Sequence, residues 1–380
     1  MSTTPATAPA KGNSKAKQWI GLILSLGISG AILGYLITHL DWALVSTYLG
    51  EVNLWYLPVA IVLLLGLGWM RAMRWKYLLP NREQLSVWRL FEATMIGFFA
   101  NFVLPLRAGE FVRPWILSRW QPVSFSAALA SILTERLSDA ICLLTFLVLC
   151  LNQMASVPPV ILAGAQALGV LSVVLIGIVI ASYLLPGKVE RLFHQLVSAT
   201  IGRIAPALAT RINGMIIEYF VGVRSIQSFR DLFMVMFWSF AMWGLMAGWY
   251  QILLLAFGEH PSLWVGMVLN VFVALAVAAP SAPGFLGTFQ AGCIIALSTL
   301  YGYPKEFAMA YSVIGHAMQF IFNITIGLLI LHAHGMKLGQ LKEQKGAGVK
   351  EVSLAGQAGV SVPWPGRQVS GTETSLEGDT

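Results

Sequence analysis

Residues 124–151 read SFSAALASILTERLSDAICLLTFLVLCL. The stretch exceeds the roughly 20 residues that cross a bilayer, and it is apolar or small except for Glu135, Arg136 and Asp139 near its middle. Ionisable residues at such a depth are tolerated where they face a bundle interior or a wet cavity. Glu135 and Asp139 are four apart and Arg136 is three from Asp139, so one helix face gathers all three. The stretch therefore predicts an all-α polytopic membrane protein with charge in its interior. Two readings of the charges stay open: a structural ion network joining helices, and a substrate or proton site on a cavity wall.

The rest of the chain agrees. Of its 380 residues 57% are hydrophobic and 11% charged, with mean hydropathy +0.73, whereas soluble domains are about a quarter charged. The net charge of +7 is scattered between apolar runs, as the positive-inside rule places it, and nucleic acid is not expected as a partner. Cys142, Cys150 and Cys293 lie in apolar runs without CxxC spacing, so neither a disulfide frame nor a metal site is predicted, and no cofactor is expected.

Charge-free stretches mark the spans. Lys17–Asp41, Glu51–Arg71, Asp231–Glu259 and Glu306–Lys337 each enclose one, and Asp139–Lys188 encloses the end of one and all of another, with Pro158 and Pro159 at the turn. Between Glu92 and Arg107 too few residues stand to cross and leave, and the run ends in Pro105-Leu106-Arg107-Ala108-Gly109. Between Glu259 and Lys305 the chain is uncharged but interrupted by Pro280, Pro283, Gly284 and Gly287. Both read as re-entrant hairpins of broken helices, a shape allowed at membrane depth where backbone lines a cavity or is buried in protein. The prediction is about eight membrane segments.

With the N-terminus inside, every Lys and Arg of the 24 except Arg136 and Lys305 is cytoplasmic, so both termini are expected in the cytoplasm of a cell whose inner or plasma membrane holds the protein. In that orientation residues 19–151 and 159–335 form two halves of opposite topology, each with one hairpin, an inverted repeat with its site near the midplane. Residues 188–230 read as cytoplasmic amphipathic helices, and 1–18 and 336–380 as disordered.

The first hairpin supplies candidate site residues Asn101, Arg107, Glu110 and Arg113. A helix restarting near Gly109 would aim N–H groups and a positive dipole end into the membrane, which beside two arginines suits a phosphate; the alternative is that the arginines are interfacial anchors. The corresponding break of the second hairpin carries Gln290, and on the last span His316, Gln319 and Asn323 share a face, as interhelical glue or, at His316, a proton relay. Arg71, Arg74 and Lys76, at the inner end of the second span, read as anchors. The substrate-binding set is thus Asn101, Arg107, Glu110, Arg113, Glu135, Arg136, Asp139, Gln290 and His316. No nucleophile elbow, P-loop or HExxH motif occurs, so no enzyme is expected.

Arg71-x2-Arg74-Trp75, Asn101-x3-Pro105-x3-Gly109-Glu110-x2-Arg113, Glu135-Arg136-x2-Asp139 and Pro280-x2-Pro283-Gly284-x2-Gly287 follow one another in an ordered set. In this the sequence resembles the lysylphosphatidylglycerol synthase transmembrane-region family over roughly residues 15 to 335. The resemblance implies a flippase-like protein. Members fused to an aminoacyltransferase make and flip aminoacylated phosphatidylglycerol, and stand-alone members handle other glycolipids, polyprenyl-phosphate carriers or hopanoid-type lipids. This chain, read without a transferase domain, is expected not to synthesise lysylphosphatidylglycerol. The family often has Gly where Leu106 and Phe285 stand and an acidic residue where Gln290 stands, departures that bear on the hairpin backbone and on a counter-charge. The expected function is translocation of a lipid or lipid-linked phosphate head group, with the lipid, a lipid or glycan synthase and a second copy of the chain as candidate partners. A membrane-embedded enzyme acting on a polyprenyl or phospholipid head group and a scaffold for a synthase are the alternatives.

Overall fold

The computed structural model describes residues 13–151 except Leu106, residues 228–336 except Pro280, and parts of 163–224; side chains before residue 23 and at scattered later positions are excluded. The expected span after Pro159, residues 1–12 and the tail from 337 lie outside the described residues.

The described residues are helical throughout, without a strand. In order they form α1 (Asn13–His39), α2 (Trp42–Gly50), α3 (Tyr56–Tyr77), α4 (Val87–Val103), α5 (Gly109–Trp120), α6 (Phe125–Cys150), α7 (Pro186–Ala199), α8 (Ile201–Ile204), α9 (Pro206–Arg224), α10 (Phe229–Ala256), α11 (Leu263–Ala278), α12 (Thr288–Ile294) and α13 (Lys305–Ala333). Local signals set several ends. Asp41 accepts the N–H groups of Ala43 and Leu44 and so starts α2, while Ser124 and Ser228 cap α6 and α10 through Ala127 and Asp231.

Among these, α3, α10, the segment Pro283–Leu300 and α13 are long and apolar enough to cross a membrane, and α1 with α2, bent by 91°, makes a fifth if the pair counts as one span. About eight were expected from the sequence, of which the span after Pro159 lies outside the described residues; for the others the difference has physical reasons. With 26 residues α6 has the length, but Glu135, Arg136 and Asp139 remove it from the apolar set. In addition α4 has 17 residues, α5 has 12 and α11 has 16, about 25, 18 and 24 Å at the helical rise, short of a hydrocarbon core of about 30 Å.

The packing is built on α3 lying along α10. α4 folds back on α5 and α11 on α12, while α4 also packs on α13 and α11 on α6. Both folded-back pairs close on a bare glycine. A Cβ on Gly109 of α5 would overlap the carbonyl oxygen of Gly97 on α4, and one on Gly292 of α12 would stand 2.6 Å from Val273 Cα on α11. Small residues let helices approach where lipid removes the hydrophobic drive between them.

Both interruptions fall where Pro and Gly predict. Arg107 has φ +51, and in the turn Pro283–Phe285 and after it Gly284 (φ +72), Phe285 (φ +61) and Gly287 (φ +83) are all left-handed. Phe285, where a glycine was the family's expectation, thus keeps the glycine-like conformation, at a cost of order 1 to 3 kcal/mol that its surroundings must hold down. Its ring meets Phe102 edge-on at 5.9 Å. The three cysteines are buried and free, as expected of small apolar packing residues.

Candidate site: a buried charge network beside a cavity

The residues of α6 that opened the sequence reading meet partners from α3, α5 and α10. Glu135, only 2% exposed, accepts from Arg113 Nη1 on both carboxylate oxygens at 3.0 Å, from Arg74 Nη2 at 3.0 Å and from Arg136 Nη2 at 3.1 Å. Asp139 lies 2.5 Å from Arg74 Nη1 and 3.6 Å from Arg136 Nη2, and accepts the indole N–H of Trp243 at 3.1 Å. Arg74 also donates to Ser239 Oγ. Arg113 stacks its guanidinium 3.8 Å over the ring of Trp75, which in turn donates to Ser131 Oγ. Three arginines therefore share two carboxylates on α6, and Arg74 Nε, Arg113 Nε and Arg113 Nη2 are buried without a hydrogen-bond partner.

Arg74 is a correction to the sequence reading. It is 1% exposed and ion-paired to both carboxylates, not an anchor at the interface. Arg136 is the open member, its side chain half-exposed. Lone burial of such charges costs several kcal/mol, so the pairing is what permits them.

The network shares a wall with a cavity of about 220 Å³ between α3, α4, α10, α11 and α13. Trp243 lines it while holding Asp139, and its carbonyl accepts from Asn270 Nδ2, another lining residue. Arg71 lines it too. A second cavity, about 310 Å³, lies where the two hairpin tips meet, with Asn101, Leu104 and Arg107 on one side, Ala278, Ala279, Ser281–Pro283 and Phe285 on another, and Ser25 of α1. Phe285 borders both cavities.

The remaining expected site residues are distributed as follows. Asn101 accepts the N–H of Gly109 at 2.9 Å, and Glu110 and Phe111 N–H bond to the carbonyls of Arg107 and Ala108. The restart of α5 thus satisfies these N–H groups within the chain, contrary to the expectation that they point free at a phosphate. Arg107 donates to the carbonyl of Val277 and places its guanidinium carbon 5.8 Å from the centre of the Phe285 ring. His316 and Gln290 form a hydrogen-bonded chain. Gly287 N–H donates to Gln290 Oε1 at 2.8 Å, Gln290 Nε2 faces His316 Nδ1 at 3.0 Å, and His316 Nε2 lies 2.6 Å from the carbonyl of Gly284. The carbonyl can only accept, so the proton sits on Nε2 and Nδ1 accepts from the amide: a neutral imidazole bound on both nitrogens, seated against Phe289. No group of three or more His, Cys, Asp or Glu capable of holding a metal occurs among the described residues.

Comparison with known proteins places the chain in context. A family model described as "Lysylphosphatidylglycerol synthase TM region" matches residues 20–327. The chain is also similar to "Glycosyltransferase AglD" of Haloferax volcanii, with 24% identity covering 81% of this chain and 54% of that protein, so it spans about half the length of that curated relative. No solved structure matches it.

Proposed function

Because the chain belongs to the lysylphosphatidylglycerol synthase transmembrane-region family, we propose that it translocates a lipid or lipid-linked group bearing an anionic, phosphate-containing head across the bilayer. One observation carries the reading: a network in which three arginines, two buried and one half-exposed, share two carboxylates and leave three guanidinium N–H positions unpaired adjoins, through Trp243, a cavity inside a bundle of apolar helices. A purely structural network would be expected to match its charges and satisfy its donors. An excess of forked donors suits a phosphate or carboxylate that comes and goes.

The inverted-repeat architecture is part of the same proposal. Support comes from the pairing of elements. If α3, α4, α5 and α6 correspond to α10, α11, α12 and α13, then the contact of α4 with α13 has its counterpart in that of α11 with α6, and α3 against α10 lies on the pseudo-axis. The short α4, α5 and α11 favour re-entrant hairpins. We place both termini in the cytoplasm and the protein in the inner or plasma membrane, on the distribution of basic residues.

A second reading takes its motive from the relative's name: the cargo is a lipid-linked sugar, delivered to or received from a transferase. The test covers both. Purified protein reconstituted in liposomes with a labelled phosphatidylglycerol or a labelled polyprenyl-phosphate sugar should expose inner-leaflet label to an impermeant quencher faster than empty liposomes do. Arg136→Gln, which removes the half-exposed arginine while leaving Glu135 two partners, should slow that exposure without loss of folded protein. Equal rates with and without protein for both lipids would falsify the translocation reading, and a change in lipid mass would show chemistry instead.

A further inference from the structure

Arg71, like Arg107, is in no ion pair with a carboxylate among the described residues, and unlike Arg107 it donates to no backbone carbonyl there. Its Nε faces the thioether of Met242 at 3.3 Å and its guanidinium carbon stands 4.5 Å over the ring of Phe98, both weak partners, and no ion pair of the described residues includes it. It opens on the 220 Å³ cavity, where Trp243, Asn270, Gln319 and Asn323 add polar atoms to otherwise apolar walls. Around it the charges do not cancel. Arg71, Arg74, Arg107, Arg113 and Arg136 stand against Glu110, Glu135 and Asp139, a surplus of positive charge among buried helices that an anionic ligand would neutralise.

The cavity is smaller than the roughly 300 Å³ at which ligand pockets begin, so it has room for a head group and not for a whole lipid. An apolar groove of about 570 Å³ runs nearby on the outside of the bundle, lined by Val62, Leu65, Trp69, Phe91, Ile326 and Leu329 among others. On α4 and α13 it continues the faces that line the cavity, Phe91 one turn before Met95 and Ile326 one turn after Phe322. Met95 and Phe91 pack on bare Gly68 of α3, where a Cβ would lie 2.8 Å from Met95 Cε and 2.9 Å from Phe91 Cε2. Met95 lines the cavity and Phe91 the groove, and both meet this glycine with the far ends of their side chains, one of them a flexible methionine.

We propose that the phosphate of an anionic lipid binds Arg71 in the cavity while its hydrocarbon chain lies in the groove between α3, α4 and α13, the connection passing over Gly68 beside Met95. This rests on the translocation reading and names its substrate-binding cation and the lateral door by which the substrate enters.

The test reads binding and needs no transport. Full-length protein in detergent, stripped of lipid, is incubated with phosphatidylglycerol or with a neutral galactolipid, and retained lipid is quantified by mass spectrometry beside the melting temperature. Phosphatidylglycerol should be retained over the galactolipid. Arg71→Gln should lower that retention roughly tenfold or more, the scale of a charge-assisted bond, and Arg71→Lys should restore part of it. Leu329→Trp, at an exposed groove position, should keep the fold and also lower retention. Glycerol 1-phosphate should not displace the lipid. Folded Arg71→Gln that retains phosphatidylglycerol as the parent does overturns the site. Leu329→Trp with full retention overturns the chain path, and displacement by glycerol 1-phosphate assigns the site to a free phosphate instead. Unchanged binding in these variants alongside intact flipping leaves the translocation reading standing, whereas binding through Arg71 without flipping ends that reading and keeps the site.

Discussion

Arg107 and Phe285, at the tips of the two hairpins and 178 positions apart in the chain, face one another with the guanidinium carbon 5.8 Å from the ring centre, and both hold positive φ, +51 and +61. Neither is a glycine, so each tip carries backbone strain that the other helps to hold. Arg107 further ties itself to the second hairpin through the carbonyl of Val277.

Phe285→Gly should relieve the strain at that residue and remove the ring that borders both cavities. The expected outcome is a faster, less selective movement of labelled lipid in proteoliposomes, with a melting temperature changed little because the lost ring contact with Phe102 offsets the relaxed backbone. An unaltered rate would mean that the ring is not what divides the cavities.

Glu135→Gln should destabilise the protein by about 3 to 5 kcal/mol, since it strips the buried Arg74 and Arg113, and the half-exposed Arg136, of a shared buried carboxylate. Adding Arg113→Gln should cost less than the sum of the two single changes by about 0.5 to 3 kcal/mol. Thermal unfolding of the four proteins in detergent measures the coupling, and strict additivity would show that the pair does not interact.

Gly109→Ala should separate α4 from α5, because the new methyl would occupy the place of the Gly97 carbonyl oxygen. Gly292→Ala should do the same to α11 and α12. Gly244→Ala on α10 meets nothing within 4 Å and serves as the control, expected to keep or raise the melting temperature. A loss confined to Gly109 and Gly292 supports close helix approach as the cause.

Arg82→Gln should loosen the join between the α3–α4 connection and α10. Arg82, outside the spans, pairs with Asp231, which is wholly buried, and the hydrogen bond to Asp231 holds the Arg82 pKa above its ordinary value. Loss of the arginine leaves a buried carboxylate unpaired, so Asp231→Asn in the same chain should recover much of the melting temperature.

Reporter fusions after Gly339 should report the cytoplasm. An external reporter would change the parity of the spans and remove the basis for opposed halves.

What the sequence made legible was what lay close along the chain. Glu135, Arg136 and Asp139 fall on one face because helical spacing dictates it, and Pro105 to Gly109 broke the helix where α5 indeed restarts. What stayed hidden were partners far apart in number. Arg74 sat beside Arg71 and Lys76 near a span end, where an anchor and a buried ion-pair partner look alike; only the packing of α3 against α6 and α10 tells them apart. Ser239 and Trp243 carried no charge to draw notice. Asn101 was singled out, but that its side chain takes the Gly109 N–H depends on α4 and α5 folding together. The mutual bond of His316 and Gln290, 26 positions apart, is likewise not readable from spacing along the chain.

That the ring of Phe285 borders both cavities has an electrical consequence. If, in the translocation proposed above, the two cavities take water from opposite faces of the membrane, the low-dielectric layer at this point thins to about one aromatic side chain and most of the transmembrane voltage falls across it. A head group bearing one net charge would then do nearly all its electrical work, about 2.3 kcal/mol at 100 mV, in a single short step past that ring. The rate of that step should depend on voltage while binding on either side of it should not.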